Sequence, residues 1–130
     1  MNYSELLSAI KENDDLMIKR NMYSDNFFGN FLIEFFYKKK IRIRIVNDRG
    51  KIELFVIFFH LEIPFDFVVK CVQKKDCINY IYIFDRLEDA YELFSNNKYV
   101  LDKIIEEKTR WKIIKKYCKR KRNCFQCSIY

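Results

Sequence analysis

The chain has 130 residues, half of them hydrophobic, and a formal net charge of +7 at pH 7. This length is typical of one domain and is enough to close a hydrophobic core, and the composition excludes a disordered chain. The longest apolar run, residues 54–59, is far too short to span a bilayer. An amphipathic segment, with no secretory signal, follows Met1, so we expect a cytoplasmic protein.

The first predicted element is a helix over residues 4–13. Leu6, Leu7 and Ile10 share one face of it, and Ser4 is expected to cap its N-terminus with Glu5 in the first turn. Residues 16–26 show no clear period, and we interpret them as irregular chain that leads into a sheet.

Three successive antiparallel strands are predicted between residues 27 and 59. The first covers residues 31–37 and turns at the lysine run 38–40. In the second, Ile41, Ile43 and Ile45 alternate with arginines, as a half-buried strand requires. The third begins after Asn47-Asp48-Arg49-Gly50, whose residues favour a turn.

The two apolar faces of this hairpin coincide if Ile45 pairs with Ile52 across a four-residue loop. That register sets Arg44 opposite Glu53. Aromatic residues lie on both faces of the strands, because Phe35 and Phe36 are adjacent in sequence. We therefore expect part of the second face to be covered by helices or by a partner.

A proline separates these strands from the rest of the chain. Pro64 suits the first position of a helix, and apolar residues follow at helical spacing at positions 65, 68, 69 and 72. Residues 78–84 fit either a fourth strand or a helical stripe, and we favour the strand.

Two C-terminal helices are predicted, over residues 85–94 and 98–121. Asp85 and Glu88 have the spacing of a capping box at the start of the first helix. The expected fold is α+β: an N-terminal helix, an antiparallel sheet of three to four strands, and C-terminal helices packed on it. We expect a single domain over residues 1–123 and a frayed tail over residues 124–130.

The whole net charge lies at the C-terminus. The last 19 residues hold seven basic residues and no acidic one, while the other 111 balance 18 of each sign. The candidate contacts for phosphate are Lys112, Lys115, Lys116, Lys119, Arg120, Lys121 and Arg122. The same segment could instead meet an acidic protein or an anionic membrane, or simply solubilise the end of a helix.

Catalytic and ligand motifs are missing from the sequence. Its two glycines form no phosphate-binding loop, and its one histidine, His60, offers little for nucleophilic catalysis. Cys118, Cys124 and Cys127 are spaced like ligands, but a structural zinc site needs a fourth. We expect reduced thiols, no cofactor, no metal and no enzymatic activity.

One stretch resembles a known group of proteins. Phe28-Gly29-Asn30, a strand, and then Asp48-Arg49-Gly50 before a second strand are similar to the core of small bacterial α+β proteins of the toxin-immunity type. The resemblance covers about 25 residues. It implies a cytoplasmic, non-catalytic protein that binds one toxin, and it carries over no functional residues.

Two hypotheses follow from the sequence, and a metal bound by Cys118, Cys124 and Cys127 stays open as a third possibility. The first is a non-catalytic protein-binding module, an immunity protein in the sharper form, whose partner is a toxin. The alternative is a nucleic-acid-binding protein that uses the basic segment 112–122. The oligomeric state does not follow from either.

Overall fold

The computed structural model describes residues 1–24, 29–58 and 63–107. Within these ranges the helices are α1 (Tyr3–Lys11), α2 (Leu87–Asn96) and α3 (Lys98–Glu106). The strands are β1 (Leu16–Tyr23), β2 (Phe31–Tyr37), β3 (Ile41–Asp48), β4 (Lys51–Phe58), β5 (Lys70–Gln73) and β6 (Ile78–Phe84).

All six strands form one antiparallel sheet in the order β1-β2-β3-β4-β6-β5. The three helices pack on one face, where Leu6, Phe94 and Leu101 join the strand residues Phe35 and Ile43 in a single core. The α+β class and the antiparallel sheet are confirmed. The prediction of three to four strands was too low, because two strands had not been recognised.

The first unrecognised strand is β1, which the sequence indicated as irregular chain. A bulge between Ile18 and Arg20 adds one residue, so the side chains change phase within the strand. β1 also lies at an edge of the sheet, where only Leu16 is buried. Both features hide the period of two on which strand prediction depends.

The second is β5, in the segment where a helix from Pro64 was predicted. Phe67 has a positive φ of 66°, which no helix contains, and β5 pairs with β6 from Lys70 onward. The apolar spacing that imitated a helix consists mostly of valines, whose branched side chains suit strands better.

The β3–β4 hairpin has a shorter loop than predicted. Arg49 and Gly50 both have positive φ, 56° and 86°, and form a two-residue turn between Asp48 and Lys51. Ile45 therefore pairs with Leu54, and the predicted pairing with Ile52 was wrong. Because the error is two residues, every side chain still lies on the predicted face.

Helix ends differ from the predictions by a few residues. Asn2, and not Ser4, caps α1, and its side chain and Glu5 form a capping box. α2 starts after Arg86, so Asp85 is not its cap. α3 ends at Glu106, and the rest of the helix predicted to residue 121 lies outside the described residues.

Residues 78–84 form strand β6, as favoured from the sequence. Cys71 is fully buried in the core. None of the helices in the described part of the chain is long and apolar enough to cross a membrane. The predicted single domain over residues 1–123 stays a prediction, since the described residues end at 107.

Candidate functional site

The sheet face opposite the helices, which we call the second face, carries alternate residues of every strand, and the register arranges them in three rows. The central row contains Arg20, Glu34, Arg44, Phe55, Ile81 and Lys70. The cavity row, on the side of the β3–β4 turn, contains Met22, Leu32, Val46, Glu53 and Ile83. The outer row contains Met17, Phe36, Arg42, Ile57, Asn79 and Val72.

A buried carboxylate lies in the central row with three cations around it. Glu34 has a side chain only 2% exposed, and its Oε2 accepts from Nε and Nη2 of Arg44, each at 2.8 Å. Its other oxygen, Oε1, lies 3.5 Å from Nε of Arg20 and 3.8 Å from Nζ of Lys19. We call Lys19, Arg20 and Arg44 the cation cluster.

The cations control the ionisation of this carboxyl. Burial alone would raise the pKa of Glu34, but the hydrogen bond and charge of Arg44, together with Arg20 and Arg42, hold it below its ordinary value. Glu34 is therefore ionised at neutral pH. Because three cations face a single carboxylate, the cluster keeps a surplus of positive charge.

Two aromatic rings lie beside the cluster. The guanidinium carbon of Arg44 is 5.2 Å from the centre of the Phe55 ring, and Nζ of Lys19 is 5.7 Å from that of Phe36. Both distances fit cation–π contacts. The rings thus hold the cations in place, and each has a ring face occupied by a charged group.

Apolar side chains surround the charged groups. Ile57 and Ile81 are 3% and 6% exposed, yet they are not part of the core that joins the helices to the sheet. Ile57 and Ile81 are therefore closed to a partner. At the β1 edge, Met17 and Met22 are 50% and 55% exposed. The exposed part of the face, at this edge, combines arginine and flexible methionine side chains, which is typical of protein-binding surfaces.

A cavity of about 370 Å³ opens at the end of the cavity row. Its lining includes the apolar residues Met22, Leu32 and Val46 and the acidic residues Asp48 and Glu53. It is adjacent to the cation cluster, because Leu32 and Val46 are each two positions along their strands from Glu34 and Arg44.

The structure does not describe the residues that the sequence indicated as sites. The seven basic residues between Lys112 and Arg122, and the cysteines 118, 124 and 127, are outside the described residues, and so is His60. Among residues 1–24, 29–58 and 63–107, no group of three or more His, Cys, Asp or Glu is placed to hold a metal ion.

Glu34 and the cation cluster were missed, although the sequence held a signal for them. Glu34 is a single acid between Leu32 and Phe36 on the same face of a strand. A tight turn at residues 38–40 pairs Tyr37 with Ile41 and so sets Glu34 opposite Arg44. Sequence reasoning instead assigned Arg44 to Glu53, which lies opposite Val46.

The residues behind the immunity-type resemblance contact one another. The side chain of Asn30 accepts from the backbone N–H of Arg49 at 2.8 Å, and that of Asn47 donates to the Gly29 carbonyl at 3.1 Å. The Asn47 side chain also accepts from Gly50 N–H at 3.0 Å. These contacts join the chain before β2 to the β3–β4 turn, so this motif is structural.

No protein-family model, curated protein or solved structure matches the chain.

Proposed function

We propose that this chain is a non-catalytic protein-binding module of the immunity type, which binds a toxin through the second face of its sheet. One observation carries the proposal: the second face exposes basic and methionine side chains at its β1 edge, while the described helices bury their apolar residues on the other face. Arginine and aromatic residues provide much of the binding energy in protein interfaces.

The charge of the face indicates the kind of partner. Lys19 and Arg20 are about half exposed, with side-chain exposures of 47% and 50%, and Arg44 is 22% exposed. Charges on a binding surface favour a partner of opposite potential and increase the rate of association. A toxin that fits this surface therefore presents an acidic patch.

The proposal predicts that a neighbouring gene encodes a toxin-like protein, and the test uses that protein. Co-expression should give a one-to-one complex in size-exclusion chromatography. Met17→Glu, which puts a charge on the second face, should weaken binding about tenfold or more, as loss of an interface contact does. Tyr99→Glu is the matched control, because Tyr99 on α3 is similarly exposed, at 60% against 50% for Met17. The proposal would be contradicted if the wild-type chain and the toxin-like protein did not co-elute.

A second candidate function is nucleic-acid binding by the basic segment 112–122. The observation in its favour is the segregation of charge, since this segment and the tail after it carry seven cations and no acid. Affinity for an oligonucleotide should then fall steeply with salt and disappear when the chain is truncated after Trp111. Binding unchanged by the truncation would exclude this candidate.

A further inference from the structure

We propose that the second face recognises two groups of its partner at once, a carboxylate at the cation cluster and, about 7 Å away, an apolar side chain in the neighbouring cavity. This inference rests on the proposed protein-binding function and specifies the chemistry of that partner.

The carboxylate site follows from the excess of cations over acids. Glu34 offers two oxygens, and both are already directed at cations: one at Arg44, the other at Arg20 and Lys19. Arg20 and Lys19 contact Glu34 only at 3.5 and 3.8 Å, longer than the 2.8 Å of Arg44. Their side chains are about half exposed, so they can bind a second carboxylate on the solvent side.

Glu34 is a positioning residue in this site. It fixes Arg44 through two contacts to one oxygen, and Arg44 in turn lies over the Phe55 ring. The buried negative charge also keeps three cations close together, which their mutual repulsion would otherwise oppose. The site is thus organised before the partner arrives, which lowers the entropic cost of binding.

The apolar site is the cavity beside the cluster. Its volume of about 370 Å³ is ample for a leucine or phenylalanine side chain, and Met22, Leu32 and Val46 provide the apolar contact. Asp48 and Glu53 also line the cavity, and their carboxylates repel a second carboxylate. The acidic group of the partner is therefore directed to the cation cluster and the apolar group to the cavity.

The spacing of the two sites sets the geometry of the partner. The cavity row and the central row are two residues apart along each strand, which corresponds to about 7 Å. Side chains two positions apart in an extended segment have the same spacing and point to the same side. A partner segment of the form Glu-X-Leu fits both sites.

Nucleic acid fits this surface less well than protein does. Single-stranded nucleic acid needs open aromatic faces for its bases, but Phe36 and Phe55 already have a cation over the ring. The carboxylates of Asp48 and Glu53 would also repel phosphates beside the cluster.

The experiment uses a capped hexapeptide that contains Glu-Ser-Leu between serines, titrated into the full-length protein and followed by ¹H–¹⁵N NMR. We expect the backbone amide chemical shifts of Arg20, Leu32 and Val46 to change on titration. The same peptide with Gln for Glu, or with Ser for Leu, should bind at least about fivefold more weakly, since each loses one of two contacts. A thymidine hexanucleotide serves as the second probe.

Variants locate the two sites. The double substitution Lys19→Gln and Arg20→Gln should weaken binding of the hexapeptide about fivefold or more. The control, Lys11→Gln with Lys103→Gln, removes the same charge from the helical side and should leave this binding unchanged. Val46→Trp, which fills the cavity, should abolish the advantage of Leu over Ser. Preserved amide spectra show that each variant is folded.

Three results would overturn the inference: no hexapeptide binding, equal weakening by the two charge pairs, or tighter binding of the hexanucleotide at the same residues. Failure of the inference is separable from failure of the proposed function. If the toxin complex forms and is lost with Met17→Glu but survives Arg20→Gln and Val46→Trp, the protein-binding function stands and the two-point recognition does not.

Discussion

Arg44 and Glu34 form the shortest ion pair among the described residues of the second face, with two nitrogens of the guanidinium 2.8 Å from the same carboxylate oxygen. The pair joins β2 to β3 in the middle of the sheet. The other carboxylate oxygen of Glu34 faces Arg20 and Lys19, which belong to the edge strand β1. One buried carboxylate thus connects three consecutive strands.

Replacing Glu34 should destabilise the protein. Glu34→Gln removes the negative charge and leaves three cations in mutual repulsion. We expect a loss of about 1–2 kcal/mol in the free energy of unfolding. This value is smaller than that for a fully buried ion pair, because the cations are partly in water. Urea denaturation measures it. Glu53→Gln, one row away, is the control and should change stability by less than about 0.5 kcal/mol. Equal effects would mean that the cluster does not stabilise the fold.

The same carboxylate should make stability depend on acid pH. The pKa of Glu34 is lowered from its ordinary 4.5, so its stabilising contribution is present above that pH and is lost as the pH falls through the lower, folded-state value. The difference in unfolding free energy between wild type and Glu34→Gln should therefore shrink as the pH decreases from 7 to 3. Other carboxyls titrate in both proteins and cancel in the difference. A constant difference would contradict the assignment.

Tyr37 should hold α3 on the sheet. Its hydroxyl donates to Asp102 at 2.7 Å, and Nζ of Lys38 lies 2.8 Å from the same carboxylate oxygen. Tyr37→Phe should cost about 1 kcal/mol in unfolding free energy, the usual value of one such hydrogen bond. A double-mutant cycle with Asp102→Asn separates this bond from other effects, and a coupling energy near zero would show that the bond contributes nothing.

The ionisation of Tyr37 gives a second measurement. Burial, together with the Asp102 carboxylate, raises the pKa of Tyr37 to about 12. Because the folded-state value is raised, the stabilising contribution is complete below the ordinary pKa of 10 and is lost as the pH rises from 10 towards 12. In an absorbance titration of the folded protein, the component that Tyr37→Phe removes should have its midpoint near pH 12.

The β3–β4 turn should respond oppositely to two substitutions. Gly50 has a φ of 86° and no atom within 4 Å of a Cβ added there, so Gly50→Ala introduces backbone strain alone and should cost about 1 kcal/mol. Arg49→Asn should raise stability by a few tenths of a kcal/mol, because asparagine accepts a positive φ better than arginine. Thermal unfolding of both variants checks the pair, and a tolerated Gly50→Ala would contradict the two-residue turn.

Sequence reasoning succeeded where a side-chain pattern was regular and failed where the backbone departed from it. The faces of β3 and β4 could be predicted because isoleucine and arginine alternate strictly along β3. β1 could not, because its bulge after Ile18 breaks the alternation and because an edge strand buries few side chains. The segment around Phe67 could not either, since a positive φ at a phenylalanine has no sequence signal.

The candidate site was partly within reach of the sequence. The arginines of β3 and the need to cover the second face were recognised, but not the carboxylate that organises them. Pairing Glu34 with Arg44 requires only the turn at residues 38–40, whereas the contributions of Lys19 and Arg20 depend on β1 being a strand. The cavity also needs β1, because Met22 forms one of its walls.

Tyr82 should anchor the segment between β4 and β5. Its hydroxyl donates to the Phe65 carbonyl at 2.7 Å and accepts from the Phe65 N–H at 3.0 Å, and both residues are buried. Tyr82→Phe leaves two buried backbone groups of Phe65 without these bonds, so we expect a loss of about 2–3 kcal/mol in unfolding free energy. Tyr91→Phe on α2 is the control and should cost less than about 0.5 kcal/mol.

Hydrogen exchange should locate the effect of Tyr82→Phe in the same segment. The amides of Phe65 and Val69 should exchange faster than in the wild type, because the neighbouring Phe67 is held at a positive φ and relaxes when the anchor is lost. Amides of β3 on the far side of β4, such as Ile43, should keep their relative protection. Uniformly faster exchange across the sheet would instead mean that Tyr82 stabilises the whole domain and has no special role at Phe65.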